Sequence, residues 1–219
     1  MIQIVPSIAA ANLLEIDREI KRAERIGYLH LDIEDGNFSP DITFGADMAR
    51  AIAGATQAEM DAHLMVTNPD RLIGPLCDCG VSRIAVHIES TEYPSELLFM
   101  IHARGKKAGL ALNYKTDAHT LEPYLDQIDY VLLQTSEAGD KALAFREYGY
   151  EKIKKAKALL PPGVALWADG GIDGGVLRRL TDSGLDFAVV GRALFNSADL
   201  MKTYDMMRRD CAEGTVRHG

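Results

Sequence analysis

Residues 29–40 read LHLDIEDGNFSP and combine a strand pattern with an unusual set of polar residues. The first residues alternate in the manner of a β-strand, and the Asp-Gly pair that follows favours a turn. Side chains two positions apart in a strand share a face, so His30, Asp32 and Glu34 are predicted to point the same way. A strand that carries three ionisable groups on one face indicates a functional site near its end.

Eight short apolar runs alternate with amphipathic segments along the whole chain. They read IQIVPS, YLHLDIE, AEMDAHLMV, RIAVHIES, KAGLALN, YVLLQTS, ALWADGG and FAVVGRA. The segments between them, such as LLEIDREIKRAERIG and PDRLIGPLCDCG, have apolar residues at helical spacing. Strict alternation of strand and helix predicts parallel strands joined by right-handed crossovers. We therefore predict an α/β fold, a single (β/α)₈ TIM barrel over residues 1–219, with a doubly wound open sheet as the alternative.

The composition restricts the classes of partner. Hydrophobic residues make up 47% of the 219 residues and charged residues 26%, which is typical of a globular domain. The formal net charge is −8, so nucleic acid is not an expected partner, because its binding depends on Lys and Arg that neutralise phosphates. A small anionic ligand is still compatible with this charge if a local site compensates for it.

The cysteines and the N-terminal segment indicate a cytoplasmic protein. Cys77, Cys79 and Cys211 lack paired zinc spacing and are expected to be reduced thiols. The segment MIQIVPSIAAANLLEID has no basic residues ahead of its apolar run. No stretch reaches the roughly 18 apolar residues that a membrane span needs. Secretion and membrane insertion are therefore not expected.

Polar residues recur at the predicted C-terminal strand ends, where TIM barrels carry their active sites. They are Ser7 in the first strand, His30 and Asp32 in the second, His63 in the third and Asp169 in the seventh. An inward carboxylate suffers a large desolvation penalty unless it is paired, protonated or bound to a cation. Two histidines and two aspartates at one barrel mouth therefore indicate a single divalent metal ion, with Zn, Fe, Mn and Co as the candidates.

Residue type leaves a simpler interpretation open for each of these side chains. A single inward histidine on a strand is more often a hydrogen-bonded core residue than a metal ligand. The fourth strand illustrates the ambiguity, because His87 and Glu89 repeat the spacing of His30 and Asp32. Periodicity alone does not distinguish the two pairs.

Seven short motifs occur in a fixed order, namely PSI, HLDIEDGNFSP, DAHLM, VHIES, ALN, ADGG and VGRALF. In this order they resemble the ribulose-phosphate 3-epimerase family along nearly the entire chain. The pairing of H-x-D-x-x-D-G-x-F with D-x-H-L-M is the most specific part of the resemblance. It implies a (β/α)₈ barrel and one divalent metal ion with ligands at positions matching His30, Asp32, His63 and Asp169. It implies no metal role for His87 or Glu89.

The resemblance also implies epimerisation at C3 of a ketose phosphate. In this reaction a proton leaves one face of a planar intermediate and another arrives from the opposite face, so two bases are needed. Asp32 and Asp169 are the expected catalytic pair, and the metal is expected to polarise the carbonyl. Substrate contacts are expected from Ser7 as a hydrogen-bond donor, from His63, and from Met65 as apolar cover.

Phosphate binding is expected where the seventh and eighth strands end. Barrels often bind phosphate there on backbone N–H groups and a helix N-terminus. The candidates are Gly170, Gly171, Gly191 and Arg192. Tight-turn geometry would also explain the glycines, and the resemblance favours the phosphate interpretation.

Two regions depart from the family pattern. The loop after the sixth strand reads QTSEAGDKAL in place of a glycine-rich sequence. Gly139 is the glycine that remains and is a substrate-site candidate, and Lys141 is expected to offer a point charge in place of backbone N–H donors. Glu34 and Gln134 occupy positions where the family carries methionines. The resemblance therefore specifies the reaction type more closely than the sugar.

We predict a metal-dependent epimerase that interconverts D-ribulose 5-phosphate and D-xylulose 5-phosphate, and a homo-oligomer because family members commonly self-associate. A tetrulose or hexulose phosphate, such as D-allulose 6-phosphate, is the alternative substrate. A non-catalytic sugar-phosphate-binding barrel is a further alternative, disfavoured by the presence of both Asp32 and Asp169. A lyase of the orotidine-decarboxylase type would share the barrel architecture, but its D-x-K-x-x-D pattern is absent from EMDAHLMV.

Overall fold

The computed structural model describes residues 1–137 and 144–214, with side chains given through residue 212. Eight strands lie within these residues. They are β1 (Gln3–Pro6), β2 (Tyr28–Glu34), β3 (Glu59–Met65), β4 (Arg83–His87), β5 (Lys107–Leu112), β6 (Tyr130–Gln134), β7 (Ala165–Asp169) and β8 (Phe187–Val190). Each strand lies inside one of the eight predicted apolar runs.

The strands form one parallel sheet in the order β1-β8-β7-β6-β5-β4-β3-β2. An isolated parallel bridge between Ser7 and His30 joins the two outer strands, β1 and β2, so the sheet curls into a nearly closed barrel. The predicted (β/α)₈ architecture is confirmed, and the open-sheet alternative is wrong. Because the strands are parallel, their C-terminal ends all meet at one mouth.

Helices connect most of the strands. They are α1 (Ile16–Ala23), α2 (Ala46–Ala55), α3 (Asp70–Asp78), α4 (Pro94–His102), α5 (Glu147–Leu159), α6 (Gly174–Leu180), α7 (Arg192–Phe195) and α8 (Leu200–Gly214). The connection between β5 and β6 instead holds a 3₁₀ segment, Ala118–Tyr124, which contains Pro123. Proline removes a backbone donor and disfavours a regular α-helix there.

Two strands, β4 and β8, end three residues before their apolar runs do. β4 stops at His87, and Ser90 Oγ donates a hydrogen bond to the His87 carbonyl oxygen at 2.7 Å within a 3₁₀ turn. This side-chain bond satisfies a carbonyl that the strand ladder would otherwise use. β8 stops at Val190, because Gly191 caps the short helix α7. Arg192 therefore begins a helix rather than continuing a strand.

The hydrophobic core has two parts. The larger part lies between the strands and the surrounding helices. The smaller part fills the barrel interior and contains Val5, Ala85, Ala111, Tyr130, Leu132, Trp167 and Val189. Since side chains two positions apart in a strand share a face, this inner cluster forms a floor beneath the inward residues nearer the mouth.

All three cysteines are free thiols, as predicted. Burial raises the pKa of the Cys77 and Cys211 thiols, which keeps them protonated and unreactive near neutral pH. None of the helices in the described part of the chain has both the length and the apolar character required to cross a bilayer.

Candidate active site

The polar inner face of β2 continues onto β3. In the parallel register, the opposed pairs are His30 with Asp61, Asp32 with His63, and Glu34 with Met65. All six residues are buried. The inward polar face therefore spans two neighbouring strands and runs from the barrel interior to the mouth.

Four side chains from three strands converge at the mouth. They are His30, Asp32, His63 and Asp169, and the nitrogen or oxygen atom that each one offers lies within 4.8 Å of the other three. His63 Nδ1 is 3.3 Å from Asp32 Oδ1 and 3.4 Å from Asp169 Oδ2. His30 Nε2 is 3.0 Å from Asp32 Oδ1. Two imidazole nitrogens and two carboxylate oxygens suit zinc or another divalent transition metal.

The ionisable groups of this cluster strongly perturb one another. Burial would raise the pKa of Asp32, but His30 and His63 hold it well below its usual range. Burial would lower the pKa of His30, yet Asp61 and Asp32 raise it. The pKa of His63 is raised in the same way, against burial, by Asp169 and Asp32. Protons and a metal cation therefore compete for the same imidazole nitrogens.

Asp61, which is not among the predicted site residues, supports one histidine. Its Oδ2 atom lies 2.6 Å from His30 Nδ1, and both residues are fully buried. A carboxylate at Nδ1 holds a proton on that nitrogen, which leaves Nε2 facing Asp32. The D-x-H spacing of β3 contained the signal, since Asp61 and His63 share an inward face.

His87 supports the other histidine from β4. The two Nε2 atoms of His63 and His87 are 2.8 Å apart, and the rings are stacked. His87 Nδ1 lies 3.1 Å from Glu89 Oε2, so this nitrogen carries a proton, and burial lowers the His87 pKa to about 4. A neutral His87 accepts at Nε2, so His63 donates from Nε2 and directs Nδ1 toward the carboxylates.

Glu89 is itself held by the next strand end. Its Oε1 atom accepts a hydrogen bond from the Asn113 N–H at 2.8 Å and another from Thr116 Oγ1. Neither His87 nor Glu89 belongs to the four-residue cluster. The repeated H-x-E pattern on β4 therefore lies behind the cluster rather than in it.

A cavity of about 410 Å³ opens at the barrel mouth. Its wall includes most of the predicted site residues, namely Ser7, Asp32, Met65, Asp169, Gly170, Gly171, Gly191 and Arg192. His30 and His63 are fully buried behind the wall, so His63 is not placed as a direct substrate contact. Ser7 Oγ donates to Asp32 Oδ2 at 2.5 Å, which orients that carboxylate.

The glycines after β7 have the conformations that only glycine adopts readily. Gly170 has φ 118° and Gly171 has φ 68°, both in the left-handed region. A Cβ on Gly171 would lie 2.3 Å from the Phe145 backbone nitrogen, so two backbone segments approach closely here. Gly139 and Lys141, the candidates in the preceding loop, lie outside the described residues.

Two polar side chains complete the wall at the positions where methionine was expected. Glu34 Oε1 accepts a hydrogen bond from Ser39 Oγ at 2.8 Å, and burial raises the Glu34 pKa. Gln134 Nε2 lies 3.1 Å from Met65 Sδ, so the amide spans the mouth from β6 to β3. The wall is therefore more polar here than the resemblance implied.

The chain is similar to known proteins along nearly its whole length. The model of the "Ribulose-phosphate 3 epimerase family" matches residues 3–195. The chain belongs to the ribulose-phosphate 3-epimerase family. The ribulose-phosphate 3-epimerase of Aquifex aeolicus is 33% identical over 202 residues, which cover 90% of this chain and 91% of that protein. The Bacillus subtilis enzyme is 30% identical over 214 residues, with 95% and 99% covered.

Membership of the ribulose-phosphate 3-epimerase family makes this protein an isomerase that acts on carbohydrates. Solved structures show the same fold at low identity. KGPDC from Streptococcus mutans has a TM-score of 0.74 at 10% identity, with 97% of this chain and 98% of that one covered. Orotidine 5'-phosphate decarboxylase from Pyrococcus horikoshii OT3 has a TM-score of 0.69 at 17% identity, with 95% and 99% covered. The decarboxylase class therefore shares the architecture, while the family model identifies the chain as an epimerase.

Proposed function

We propose that this epimerase interconverts D-ribulose 5-phosphate and D-xylulose 5-phosphate by two-base proton transfer at C3, with one divalent metal ion bound. The observation that carries the proposal is the pair Asp32 and Asp169 on the wall of one cavity. They come from β2 and β7, and β1 and β8 lie between these strands in the barrel. The names of the relatives support ribulose phosphate as the substrate.

In the proposed reaction one aspartate removes the proton from C3, and the protonated form of the other delivers a proton to the opposite face. The intermediate is a planar enediolate, so the face that receives the proton decides the configuration. Each carboxylate must come within about 2.6–3.2 Å of the proton that it transfers, or within one water of it. Ser7 assists by fixing the Asp32 carboxylate through its hydroxyl donor.

The residues present fit a divalent metal ion. Four nitrogen and oxygen donors converge, and the buried side chains Asp61 and His87 fix the imidazoles of the two histidine ligands. His30, Asp32, His63 and Asp169 would hold the ion. When bound, it supplies Lewis acidity that polarises the substrate carbonyl and stabilises negative charge. Zn, Fe, Mn and Co are all compatible with this donor set.

The phosphate is proposed to bind at the ends of β7 and β8. Gly170, Gly171, Gly191 and Arg192 all lie on the cavity wall there. Glycine lets the backbone N–H groups approach an anion closely, and a guanidinium adds charge and paired donors. Positive charge is needed at this end, because the wall also contains Asp32, Asp169 and Asp173.

Hydrogen exchange at C3 tests the proposed reaction. In D₂O the protein is expected to convert each pentulose phosphate into the other and to place deuterium at C3, because the transferred proton equilibrates with solvent. Proton NMR follows both events. The relative kcat/KM for a tetrulose phosphate and for D-allulose 6-phosphate tests the alternative substrates. Failure to exchange with every ketose phosphate would favour the non-catalytic binding alternative.

The metal requirement is tested separately. Elemental analysis of protein purified without added metal identifies the ion. Chelation is expected to abolish C3 exchange, and the same ion is expected to restore it. Full activity after complete removal of metal would contradict the metal-dependent mechanism without affecting family membership.

A further inference from the structure

Gln134 is a buried amide on the cavity wall that the proton-transfer mechanism does not use. It ends β6, lies beside Asp169 in the ladder with β7, and is 4% exposed. Its Oε1 atom is buried and has no hydrogen-bond partner among the described residues. A buried amide oxygen without a partner is destabilising, so this oxygen has acceptor capacity left for a ligand.

The orientation of the amide follows from its neighbour. Nε2 lies 3.1 Å from Met65 Sδ, and a thioether sulfur can accept a hydrogen bond but cannot donate one. The opposite orientation would place the amide oxygen against the sulfur, where no hydrogen could lie between them. Met65 therefore fixes Nε2, and Oε1 is the atom available to a donor.

The position of Gln134 indicates which part of a sugar phosphate it faces. The phosphate candidates lie at the ends of β7 and β8, whereas the Gln134 side chain extends from β6 to Met65 on β3. β3 lies opposite β7 in the barrel, so a ketose phosphate that is bound by its phosphate at β7 and β8 and extends across the mouth brings its other end to the contact between Gln134 and Met65. In a 2-ketose that end is the C1 hydroxyl, which can donate a hydrogen bond.

The surrounding wall also favours hydroxyl donors. Glu34 lies on the same wall and is 8% exposed. Ser39 occupies one of its oxygens. A wall built from an amide oxygen and a carboxylate suits a polyol end better than a methyl group.

We propose that Gln134 is a specificity-determining residue that accepts a hydrogen bond from the C1 hydroxyl of the substrate through Oε1, so that the site selects 1-hydroxy-2-ketose phosphates over their 1-deoxy counterparts. The inference rests on the proposed function, because it requires the protein to bind and epimerise a 2-ketose phosphate. It goes further in assigning the chemical feature by which the substrate is selected.

A cycle of two proteins and two substrates tests this assignment. The proteins are the wild type and Gln134→Leu, which removes the acceptor at similar length. The substrates are D-xylulose 5-phosphate and 1-deoxy-D-xylulose 5-phosphate, which differ only in the C1 hydroxyl. The readout is kcat/KM for deuterium incorporation at C3. Metal content and thermal unfolding of each protein verify that the variant is folded and loaded.

The wild type is expected to prefer the 1-hydroxy substrate by about tenfold or more, since loss of one buried hydrogen bond has about this effect. Gln134→Leu is expected to remove most of this preference by losing activity on the 1-hydroxy substrate while keeping activity on the 1-deoxy substrate. Gln134→Glu, kept protonated by its burial, retains a donor for Met65 Sδ and an acceptor oxygen, so it should keep the preference. This rescue separates hydrogen bonding from a purely structural effect.

Two other outcomes would each overturn a different statement. If Gln134→Leu lowers the rates on both substrates by the same factor, or leaves both unchanged, the hydroxyl assignment is wrong and the epimerase function stands. If the wild type exchanges neither substrate nor any other ketose phosphate, the proposed function is wrong, and the substrate assignment is overturned with it.

Discussion

The two walls of the barrel mouth differ in how completely the protein satisfies the polar atoms of one central side chain on each, Asp32 and Gln134. In the chemistry wall, Ser7 and Asp32 line the cavity, and His30, His63 and His87 are buried behind them on β2 to β4. The recognition wall comes from β6 to β8 and consists of Gln134, Asp169, Gly170, Gly171 and Gly191. On the first, the Asp32 carboxylate has contacts to Ser7, His30 and His63 at 2.5, 3.0 and 3.3 Å. On the second, Gln134 Oε1 has no partner among the described residues.

This difference separates two tasks of one site. Polar groups that the protein already holds in place are preorganised for the reaction and need little rearrangement when substrate arrives. Polar groups without partners gain their hydrogen bonds from the ligand, and they select ligands that can supply them. Changes on the chemistry wall should therefore alter metal binding and kcat, and changes on the recognition wall should alter KM and selectivity. Asp169 is the expected exception, since it joins both walls.

Asp169→Asn is expected to have the largest effect. The amide keeps the shape and one oxygen of the carboxylate but cannot take up the C3 proton. We expect kcat to fall by about 10³-fold, within the range for loss of a general base. Metal content should stay near that of the wild type, because His30, Asp32 and His63 are unchanged. C3 exchange and elemental analysis measure the two quantities, and an Asp169→Asn enzyme at full rate would refute the two-base scheme.

Asp32→Asn is the matched comparison for that variant. Asp32 contacts both imidazoles of the cluster, whereas the Asp169 carboxylate contacts His63 at 3.4 Å. Asp32→Asn is therefore expected to lose metal as well as activity. Equal metal content in the two variants would show that Asp32 on the chemistry wall does not bind the metal ion more strongly than Asp169 on the recognition wall.

His87→Phe tests the support behind His63. Phenylalanine preserves an aromatic ring beside His63 but removes the acceptor that holds the His63 Nε2 proton. The dissociation constant for Zn²⁺ is expected to rise by about 10–100-fold, as is typical when the partner of a ligand histidine is removed. Competition with a chromogenic chelator measures this constant on metal-free protein.

His87→Gln is the conservative variant, because its side-chain oxygen can accept the same hydrogen bond. It should recover much of the Zn²⁺ affinity that His87→Phe loses. Thermal unfolding of both metal-free proteins separates this effect from a general loss of packing. Unchanged affinity in His87→Phe would show that the stacked ring alone positions His63.

Gly171→Ala is expected to have a moderate effect on the recognition wall. The new Cβ would lie 2.3 Å from Phe145 N at a φ of 68°, so the segment that includes Ala144 on the cavity wall must move. Backbone strain of this kind corresponds to about tenfold in binding, so KM should rise by about that factor while kcat changes less. Steady-state kinetics with both pentulose phosphates measures the changes in KM and kcat separately.

Gly174→Ala provides the control three residues later. Its Cβ would meet Met207 Cγ at 3.7 Å, an ordinary contact, and its φ is not in the left-handed region. Its kinetics should match those of the wild type. If Gly171→Ala lowers kcat and leaves KM unchanged, the division of tasks between the two walls is wrong.

The residues of the metal cluster could be predicted from the sequence more completely than the buried residues that contact the two ligand histidines. The reason is physical. Strand periodicity places His30 with Asp32, and Asp61 with His63, on shared strand faces, and the family resemblance selects the ligands over the similar pair His87 and Glu89. Contacts across strands depend also on register, which one strand does not encode by itself. Asp61 and His87 touch the ligand histidines because of register, and neither strand taken alone distinguishes them from other inward residues.

Substitution of Lys152 is expected to have the smallest effect. It tests whether buried hydrogen bonds behind the recognition wall stabilise that wall. It is 1% exposed, and Nζ donates to the carbonyl oxygens of Leu112, Asn113, Tyr114 and Gln134 at 3.4, 2.5, 3.2 and 3.5 Å. These carbonyls lie at the ends of β5 and β6, so the ammonium group ties both strands to α5. Lys152→Met should lower the free energy of unfolding by about 1 kcal/mol at pH 7, because lost hydrogen bonds outweigh the relief from burying a charge.

The pH dependence of that difference has a defined sign. Burial lowers the Lys152 pKa from 10.5 to about 8. Between these values the unfolded chain binds more protons than the folded one, so the destabilising contribution of the buried charge is relieved as the pH rises. The stability gap between wild type and Lys152→Met should therefore widen from pH 8 to pH 10 in urea unfolding. Lys154→Met, at an exposed position of α5, should show no such change. A gap that narrows as the pH rises would mean that the charged form of Lys152 stabilises the folded state.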